Sequence, residues 1–314
     1  MNKLIRFMKD WMLIIAMTAG AASYFIYTSI PALIPAKPYV LKAVGWIQPI
    51  LIFAMLFITF CKVDPRKLSW RPWHVWLLLV QSISFIVLSV VLMLFPDTQH
   101  RPAIEGAMLC LICPTATAAA VVTSKLGGDA EGLTSYTILI NLLSAIIVPI
   151  FIPLINPHPH YGFITSSLLI LGQVFPTLIC PLFAAMIVRR FLPSFHKWVT
   201  SQRDLAFHIW AVTLSLAIAM TTRSLVHSNL TLTRELGIAL ASFLCCIAQF
   251  GIGRLIGKHY GSPIGSAQSL GQKNTVFAIW MGYTFLSPVS SVAGGFYSVW
   301  HNIINSLQLK YKKE

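Results

Sequence analysis

Hydrophobic residues along this chain form long, uninterrupted blocks and not the alternating pattern of strands. A membrane-spanning helix needs about 20 consecutive apolar residues. A membrane β-barrel would instead show short segments of alternating hydrophobicity. We therefore predict ten spanning helices, at residues 11–30, 41–61, 73–95, 102–126, 133–153, 164–188, 205–222, 232–257, 264–286 and 289–309.

The composition supports a membrane protein and excludes a soluble one. Hydrophobic residues make up 56% of the 314 residues, and charged residues only 10%. A typical soluble domain carries roughly 25% charged residues. The longest polar connections, residues 62–72 and 191–202, are too short to form a separate domain. We predict an all-α polytopic membrane protein with a single transmembrane domain over residues 1–314.

The net charge of +14 is distributed unevenly between the two sides of the predicted membrane region. If the N-terminus is cytoplasmic, seventeen Lys and Arg residues fall on the inner side. Only five fall on the outer side, namely Lys37, Lys42, Arg101, Arg223 and Arg234. Inner loops of membrane proteins carry the excess of basic residues. The charge therefore predicts cytoplasmic termini in a bacterial inner membrane, and a nucleic-acid partner is not needed to explain it.

The first hydrophobic block could also be interpreted as a secretory signal peptide, because basic residues precede it. Asp10 lies at its start, and hydrophobicity continues to Ile30, beyond a usual cleavage point. We interpret the block as the first span.

The outer connection at residues 156–162 divides the predicted spans into five and five. An odd number of spans per half forces the second half to enter the membrane in the opposite sense. This arrangement is typical of transporters built from inverted repeats. We expect the repeats at about 11–153 and 164–309.

The fourth span of each half contains residues that interrupt a helix. Pro114 lies in the first half, and Gly271 with a run of polar side chains lies in the second. Irregular backbone at membrane depth is tolerated only where protein or a wet cavity satisfies it. Paired interruptions indicate a transport site. The alternative is that Pro114 only kinks its helix, as we expect Pro176 and Pro181 to do.

Three short motifs carry a resemblance to a known family. They are Cys-Pro-Thr-Ala-Thr-Ala at 113–118, Gly-Gln-Lys-Asn at 271–274 and Val-Trp-His-Asn at 299–302. In order and spacing the chain resembles the bile acid:sodium symporter superfamily. The resemblance implies ten helices, with spans 1, 2, 6 and 7 in one group and the remainder in another. It also implies that broken helices 4 and 9 cross near the membrane midplane, and that organic anions are carried with sodium by alternating access.

Polar residues at the predicted crossing are candidates for binding an organic anion. Threonine hydroxyls, asparagine amides and a lysine ammonium donate hydrogen bonds, and helix N-termini favour negative charge. His301 has an alternative role, because a single histidine in a span often satisfies a neighbouring carbonyl. The candidate substrate-binding residues are Thr115, Thr117, Gln272, Lys273, Asn274, His301 and Asn302.

The chain departs from the family at the expected sodium ligands. The resemblance implies a Ser-Asn pair after the first break and a Glu and a Gln in the ninth span. Here these positions hold Ala119, Ala120, Ser269 and Lys273. Alanine offers no side-chain oxygen, and an ammonium only donates hydrogen bonds. We expect the sodium sites to be absent, and the candidate ion-coupling residues are Gln81, Thr137, Asn141, Ser269 and Lys273.

Lys273 is an ionisable residue inside a predicted span. Placing such a group there costs at least ~3 kcal/mol on insertion scales, so it usually has a function. We interpret it as a fixed positive charge that replaces the charge of sodium. The alternatives are an ion pair with Glu105 or a cap on carbonyls of the broken helices. A lysine that released its proton would instead couple transport to protons.

The sequence contains none of the common hydrolase, metalloprotease or phosphate-binding motifs. We therefore expect no enzyme activity, no cofactor and no metal site. The predicted function is secondary transport of an organic anion by alternating access. The alternative is a passive channel or a non-transporting membrane sensor on the same scaffold.

Overall fold

A computed structural model of the chain describes residues 11–202, 204–228 and 230–312, except the side chain of Ile34. Residues 1–10, which include Asp10 and three of the basic residues assigned to the inner side, lie outside this range. So do Arg203 and Lys313, which were assigned to the same side.

The regular structure of the described residues is helical. Three short 3₁₀ helices occupy Pro31–Ala36, Pro65–Lys67 and Pro288–Ser291. The α-helices are α1 (Met12–Ser29), α2 (Lys37–Cys61), α3 (Pro72–Leu94), α4 (Arg101–Ile112), α5 (Ala119–Lys125), α6 (Ala130–Ile155), α7 (Phe163–Leu178), α8 (Cys180–Phe191), α9 (Pro193–Ser201), α10 (Leu205–Val226), α11 (Leu232–His259), α12 (Pro263–Gly271), α13 (Thr275–Phe285) and α14 (Val292–Tyr311).

Six of these helices are long and apolar enough to cross a membrane, namely α1, α2, α3, α6, α10 and α11. Helices α7 and α8 make a seventh span if they are taken together, with a bend of 41° between them. Pro176 lies inside α7 and Pro181 in the first turn of α8, so the expected proline kink is present. The structure thus confirms an all-helical, multi-pass membrane protein. The count of ten stays a prediction, because the fourth and ninth blocks each form two short helices and α14, which corresponds to the tenth, is not among the helices that are long and apolar enough.

The helices pack in two sets, which meet where α6 packs against α7 and where α10 packs against α13. In one set α10 packs against α1 and α2, and α2 packs against α7 and α8. The hydroxyl of Ser215 on α10 donates to the carbonyl of Ala16 on α1 at 2.9 Å. In the other set α11 packs against α4, α12 and α14, while α3 packs against α4 and α6. The helices on either side of the two interruptions, α4 with α5 and α12 with α13, contact helices of this second set.

Basic residues collect at one end of the helix bundle, which we call the basic face. Lys312 at the end of α14 donates to the carbonyl of Lys125 at the end of α5, at 2.9 Å. Arg71, just before α3, pairs with Asp129, just before α6, at 2.9 Å. Arg189 on α8 donates to the carbonyl of Val63, just after α2, at 2.9 Å. These contacts join the ends of six helices on one side.

Candidate functional site

The two broken helices meet at their interruptions. The first break separates α4 from α5, and the second separates α12 from α13. Between them, Thr115 and Lys273 form an antiparallel bridge. The amide of Ala116 donates to the carbonyl of Gln272, and the amide of Asn274 donates to the carbonyl of Pro114, both at 2.8 Å. Each extended segment therefore satisfies the backbone of the other, as irregular structure at membrane depth requires.

The side chains of the bridged residues reach across the crossing in the same way. The Thr115 hydroxyl donates to the carbonyl of Ser269 in the last turn of α12, at 2.7 Å. The Lys273 ammonium donates to the carbonyl of Leu111 in the last turn of α4, at 3.2 Å. Carbonyls in the last turn of a helix lack partners within it. Lys273 therefore caps a broken helix, which is one of the two structural roles that the sequence left open.

The other structural role, an ion pair between Lys273 and Glu105, is wrong. Glu105 accepts from the Arg101 guanidinium at 2.8 Å. It also accepts from the amide of Ser287 at 3.1 Å and from the Ser287 hydroxyl. Glu105 lies near the start of α4, and Lys273 contacts its end. Six helical residues separate Glu105 from Leu111, a rise of roughly 9 Å, which is too far for contact.

A Gln–Tyr pair supports the first break from α3 and α6. The Gln81 amide donates to the carbonyls of Ile112 at 3.1 Å and Cys113 at 2.9 Å. The Tyr136 hydroxyl donates to the amide oxygen of Gln81 at 2.8 Å. Ser144 adds a bond to the carbonyl of Ile112 at 2.9 Å. These bonds hold the carbonyl end of α4 without a helical continuation.

A second Gln–Tyr pair supports the other break from α11 and α14. The Tyr297 hydroxyl donates to the carbonyl of Gly271, the last residue of α12, at 2.8 Å. The Gln249 amide donates to Tyr297 at 3.0 Å and to the carbonyl of Cys110 at 3.2 Å. The sequence analysis identified Gln81 and missed Tyr136, Gln249 and Tyr297. In the sequence, these three residues could have been found as polar groups within otherwise apolar spans.

Several buried polar atoms around the crossing have no hydrogen-bond partner among the described residues. Asn274 caps α13 by accepting from the amide of Phe277 at 3.2 Å, while its amide nitrogen is unpartnered. Buried polar groups are normally paired, so a cluster of exceptions needs an explanation. The unpartnered atoms on the predicted site residues belong to Asn141, Ser269, Gln272, Asn274 and His301.

The remaining predicted residues are less closely tied to the crossing. Thr117 lies half-buried in the turn before α5. The Thr137 hydroxyl donates to the carbonyl of Leu133 on its own helix. The Asn302 amide likewise donates to Ser298 on α14, at 2.6 Å. The His301 ring packs edge-on against Tyr297, with 5.7 Å between ring centroids.

A multi-pass helical protein in which two broken helices cross at a buried polar centre has the construction of a membrane transporter. The sequence matches the model of the Sodium Bile acid symporter family over residues 49–231, and the chain belongs to this family. It is also 25% identical, over 272 residues, to the "Uncharacterized sodium-dependent transporter YocS" of Bacillus subtilis (strain 168). The alignment covers 83% of this chain and 80% of that protein. The resemblance found in the sequence motifs is confirmed.

Proposed function

We propose that this chain is a secondary transporter of a small organic anion that works by alternating access and does not require sodium. The observation that supports this proposal most strongly is the helix crossing, where Lys273 is only 1% exposed between two broken helices. The proposal includes ten spans in two inverted repeats, with both termini cytoplasmic.

The geometry of the crossing supports an inverted repeat. The two segments pair in antiparallel register, with Pro114 opposite Asn274, Thr115 opposite Lys273 and Ala116 opposite Gln272. Each break also has its own Gln–Tyr pair. One pair comes from α3 and α6, and the other from α11 and α14. In a ten-span repeat, α3 and α11 are the third spans of their halves, and α6 and α14 are the fifth. Both pairs therefore fall on corresponding helices.

The charge at the crossing favours an anionic substrate. An ammonium has three N–H donors, and the Lys273 group uses one of them on Leu111. The buried carboxylate of Glu105 is held by Arg101, and Asp129 is paired with Arg71. A buried charge is costly unless it is paired. An organic carboxylate at the crossing would pair with Lys273 and accept from the unpartnered Asn274 amide.

The residues around the crossing support transport without sodium, although the name of the Bacillus relative includes sodium dependence. Ala119 is fully buried and, like Ala120, supplies no side-chain oxygen. Lys273 would place a cation where the family resemblance implies a glutamine ligand. The Gln81 amide oxygen already accepts from Tyr136. The fixed charge of Lys273 would then attract the anion in place of the charge of a bound sodium ion.

The proposal is tested in two stages with the purified chain. A thermal-shift screen of bile acids, 2-keto acids and pantoate-like acids should reveal anions that raise the melting temperature. Proteoliposomes loaded with the best anion should then show saturable uptake and counterflow of labelled anion. Counterflow separates a carrier from a channel, because only a carrier couples efflux to uptake at one site. Stabilisation by cations or neutral solutes alone would contradict the proposal.

A further inference from the structure

Another cation lies between the two helix sets, at the end of the bundle opposite the basic face. Helix α10 begins at Leu205, shortly after Gln202, whose carbonyl accepts from Lys62 beside the basic face. Arg223 lies in the last turn of α10, at the other end of the helix. Its Nη1 atom donates to the hydroxyl of Tyr283, near the end of α13, at 2.8 Å. This bond therefore joins a helix of the first set to a helix of the second.

The surroundings of Arg223 on α10 are otherwise apolar where the two sets meet. Among the described residues, no other side-chain hydrogen bond joins α10 to α13. One turn towards the middle of α10, a Cβ atom at Gly295 of α14 would lie 3.5 Å from Ile218 Cδ1 and 3.8 Å from the methyl carbon of Thr221. A charge in such a contact is costly unless it is paired. The guanidinium of Arg223 therefore needs a partner.

Most of the hydrogen-bonding capacity of Arg223 is unused. A guanidinium has five N–H donors, and the bond to Tyr283 uses one of them, on Nη1. The Nε atom of Arg223 is buried and has no partner among the described residues. The buried Nε also distinguishes Arg223 from an arginine that extends its whole head to the membrane surface. A planar carboxylate can take two parallel N–H···O bonds from such a guanidinium, and the Nε–Nη2 edge is available for them.

No carboxylate of the described residues pairs with Arg223, which is absent from their ion pairs. Glu105 is the buried carboxylate at this end of the bundle. It already accepts from the Arg101 guanidinium at 2.8 Å and from the Ser287 amide at 3.1 Å. The positive charge of Arg223 is thus left for an anion from outside the described protein.

We propose that Arg223 binds the carboxylate of the transported anion at the end of the molecule opposite the basic face. Thr275 and Tyr283 are eight residues apart on α13, a rise of roughly 12 Å, so this site is separate from the crossing. The carboxylate would take the Nε–Nη2 edge when α10 and α13 move apart, and the bond to Tyr283 would close this end again. The inference rests on the proposed anion transport and adds a second binding site to the same route.

Chemical modification of arginine tests this site on the full chain in detergent, without transport. Phenylglyoxal modifies guanidinium groups, and mass spectrometry of the digested protein reports each arginine separately. Benzoate is the carboxylate probe, and benzamide, of similar shape without charge, is its control. We expect benzoate to slow the modification of Arg223 at least fivefold and benzamide to change it less than twofold. Arg234, an exposed arginine at the start of α11, should be unaffected by both.

Three results of this labelling would overturn the proposal. The first is an equal effect of benzoate and benzamide on Arg223. The second is equal protection of Arg234, which would mean that benzoate acts on surface charge in general. The third is an Arg223 that stays unmodified without benzoate, because this end of the bundle would then not open.

A matched pair of variants at Tyr283 tests whether a carboxylate occupies the guanidinium of Arg223. Tyr283→Glu brings a carboxylate to Arg223, while Tyr283→Gln brings a side chain of the same length without charge. Both remove the tyrosine ring, so a difference between them reports the charge. We expect benzoate to slow the modification of Arg223 at least fivefold in Tyr283→Gln and less than twofold in Tyr283→Glu, where the new carboxylate already holds it.

The outcome is independent of the transport assay. Absence of counterflow in the wild type would contradict the proposed function, whereas the labelling reports the Arg223 site by itself. Equal slowing by benzoate in Tyr283→Glu and Tyr283→Gln would show that no carboxylate binds at Arg223, and this inference would be wrong even if counterflow is observed.

Discussion

At the scale of single residues, Lys273 and Thr115 occupy equivalent places on the two broken helices. Each side chain donates to a carbonyl in the last turn of the opposite half-helix. Thr115 shows that a hydroxyl at this position can satisfy such a carbonyl. The ammonium proposed for Lys273 would therefore add a positive charge that the local backbone does not need. This excess supports a role in binding an anion.

Lys273→Thr separates the two roles of Lys273. The new hydroxyl should bond to Leu111 as Thr115 bonds to Ser269, so the melting temperature should stay close to that of the wild type. Anion affinity should fall at least tenfold, or about 1.4 kcal/mol, because the charge is lost. Titration calorimetry measures the affinity for the anion that gave the largest thermal shift, and Lys310→Thr on the basic face is the control. Wild-type affinity in Lys273→Thr would show that the charge is not used.

Tyr297→Phe tests the support of the second break. The substitution leaves the carbonyl of Gly271 without the donor that now lies at 2.8 Å. An unsatisfied buried acceptor costs about 1–3 kcal/mol. We expect a lower melting temperature than in the wild type. Tyr311→Phe, which removes a hydroxyl from a residue 69% exposed, should be neutral. Equal melting temperatures for both variants would mean that the bond contributes no stability.

The sequence identified the residues of the crossing better than it identified their partners. Pro114 and the polar run after Gly271 reveal the breaks, because they oppose a continuous helix locally. Glu105 was considered as a partner of Lys273 because it is a carboxylate within the fourth predicted span. Its partner Ser287 lies 182 positions away. Tyr297 and Gln249 were missed for the same reason, since their bonds join helices that are distant in sequence.

At the scale of helices, α11 and α12 approach each other closely. A Cβ atom at Gly253 would lie 2.7 Å from the backbone oxygen of Ser266, whereas one at Gly251 would meet no atom within 4 Å. The Ser266 hydroxyl also donates to the carbonyl of Gly253 at 2.8 Å. The glycine therefore permits the contact that positions the first half of the ninth predicted span.

Gly253→Ala should force α12 away from α11. Overpacking of this kind typically costs about 1–3 kcal/mol, and we expect a lower melting temperature and weaker anion binding. Gly251→Ala is the matched control on the same helix, and it should be neutral or slightly stabilising because alanine favours helices by up to ~1 kcal/mol. The comparison is made by thermal unfolding in detergent. A Gly253→Ala protein as stable as Gly251→Ala would contradict the close packing.

Helix positions could be predicted from hydropathy wherever a span is one continuous helix. Predicted block 205–222 corresponds to Leu205–Val226, and block 232–257 to Leu232–His259. The interrupted spans were predicted as single blocks, and the structure divides 102–126 and 264–286 into two helices each. Hydropathy cannot show where such a helix ends, because the carbonyls at the break are satisfied by other helices.

At the scale of the whole molecule, the proposed topology places the basic face in the cytoplasm. Reporter fusions at the C-terminus and within residues 156–161 should then report opposite sides of the membrane. The C-terminal end of α14 contacts Lys125 on the basic face, while residues 156–161 follow the far end of α6. A fusion within residues 127–128, on the basic face, serves as an internal control and should agree with the C-terminus. Reporters at the C-terminus and in 156–161 that give the same side would contradict the inverted repeat.

The central claim is that a fixed lysine charge replaces sodium at the helix crossing. The most direct test is the affinity for the best anion, measured on the wild-type chain with choline replacing sodium at constant ionic strength. We predict dissociation constants that agree within about twofold in the two salts, and loss of binding in both for Lys273→Gln. A wild-type affinity at least tenfold weaker in choline, a coupling of about 1.4 kcal/mol, would contradict the claim.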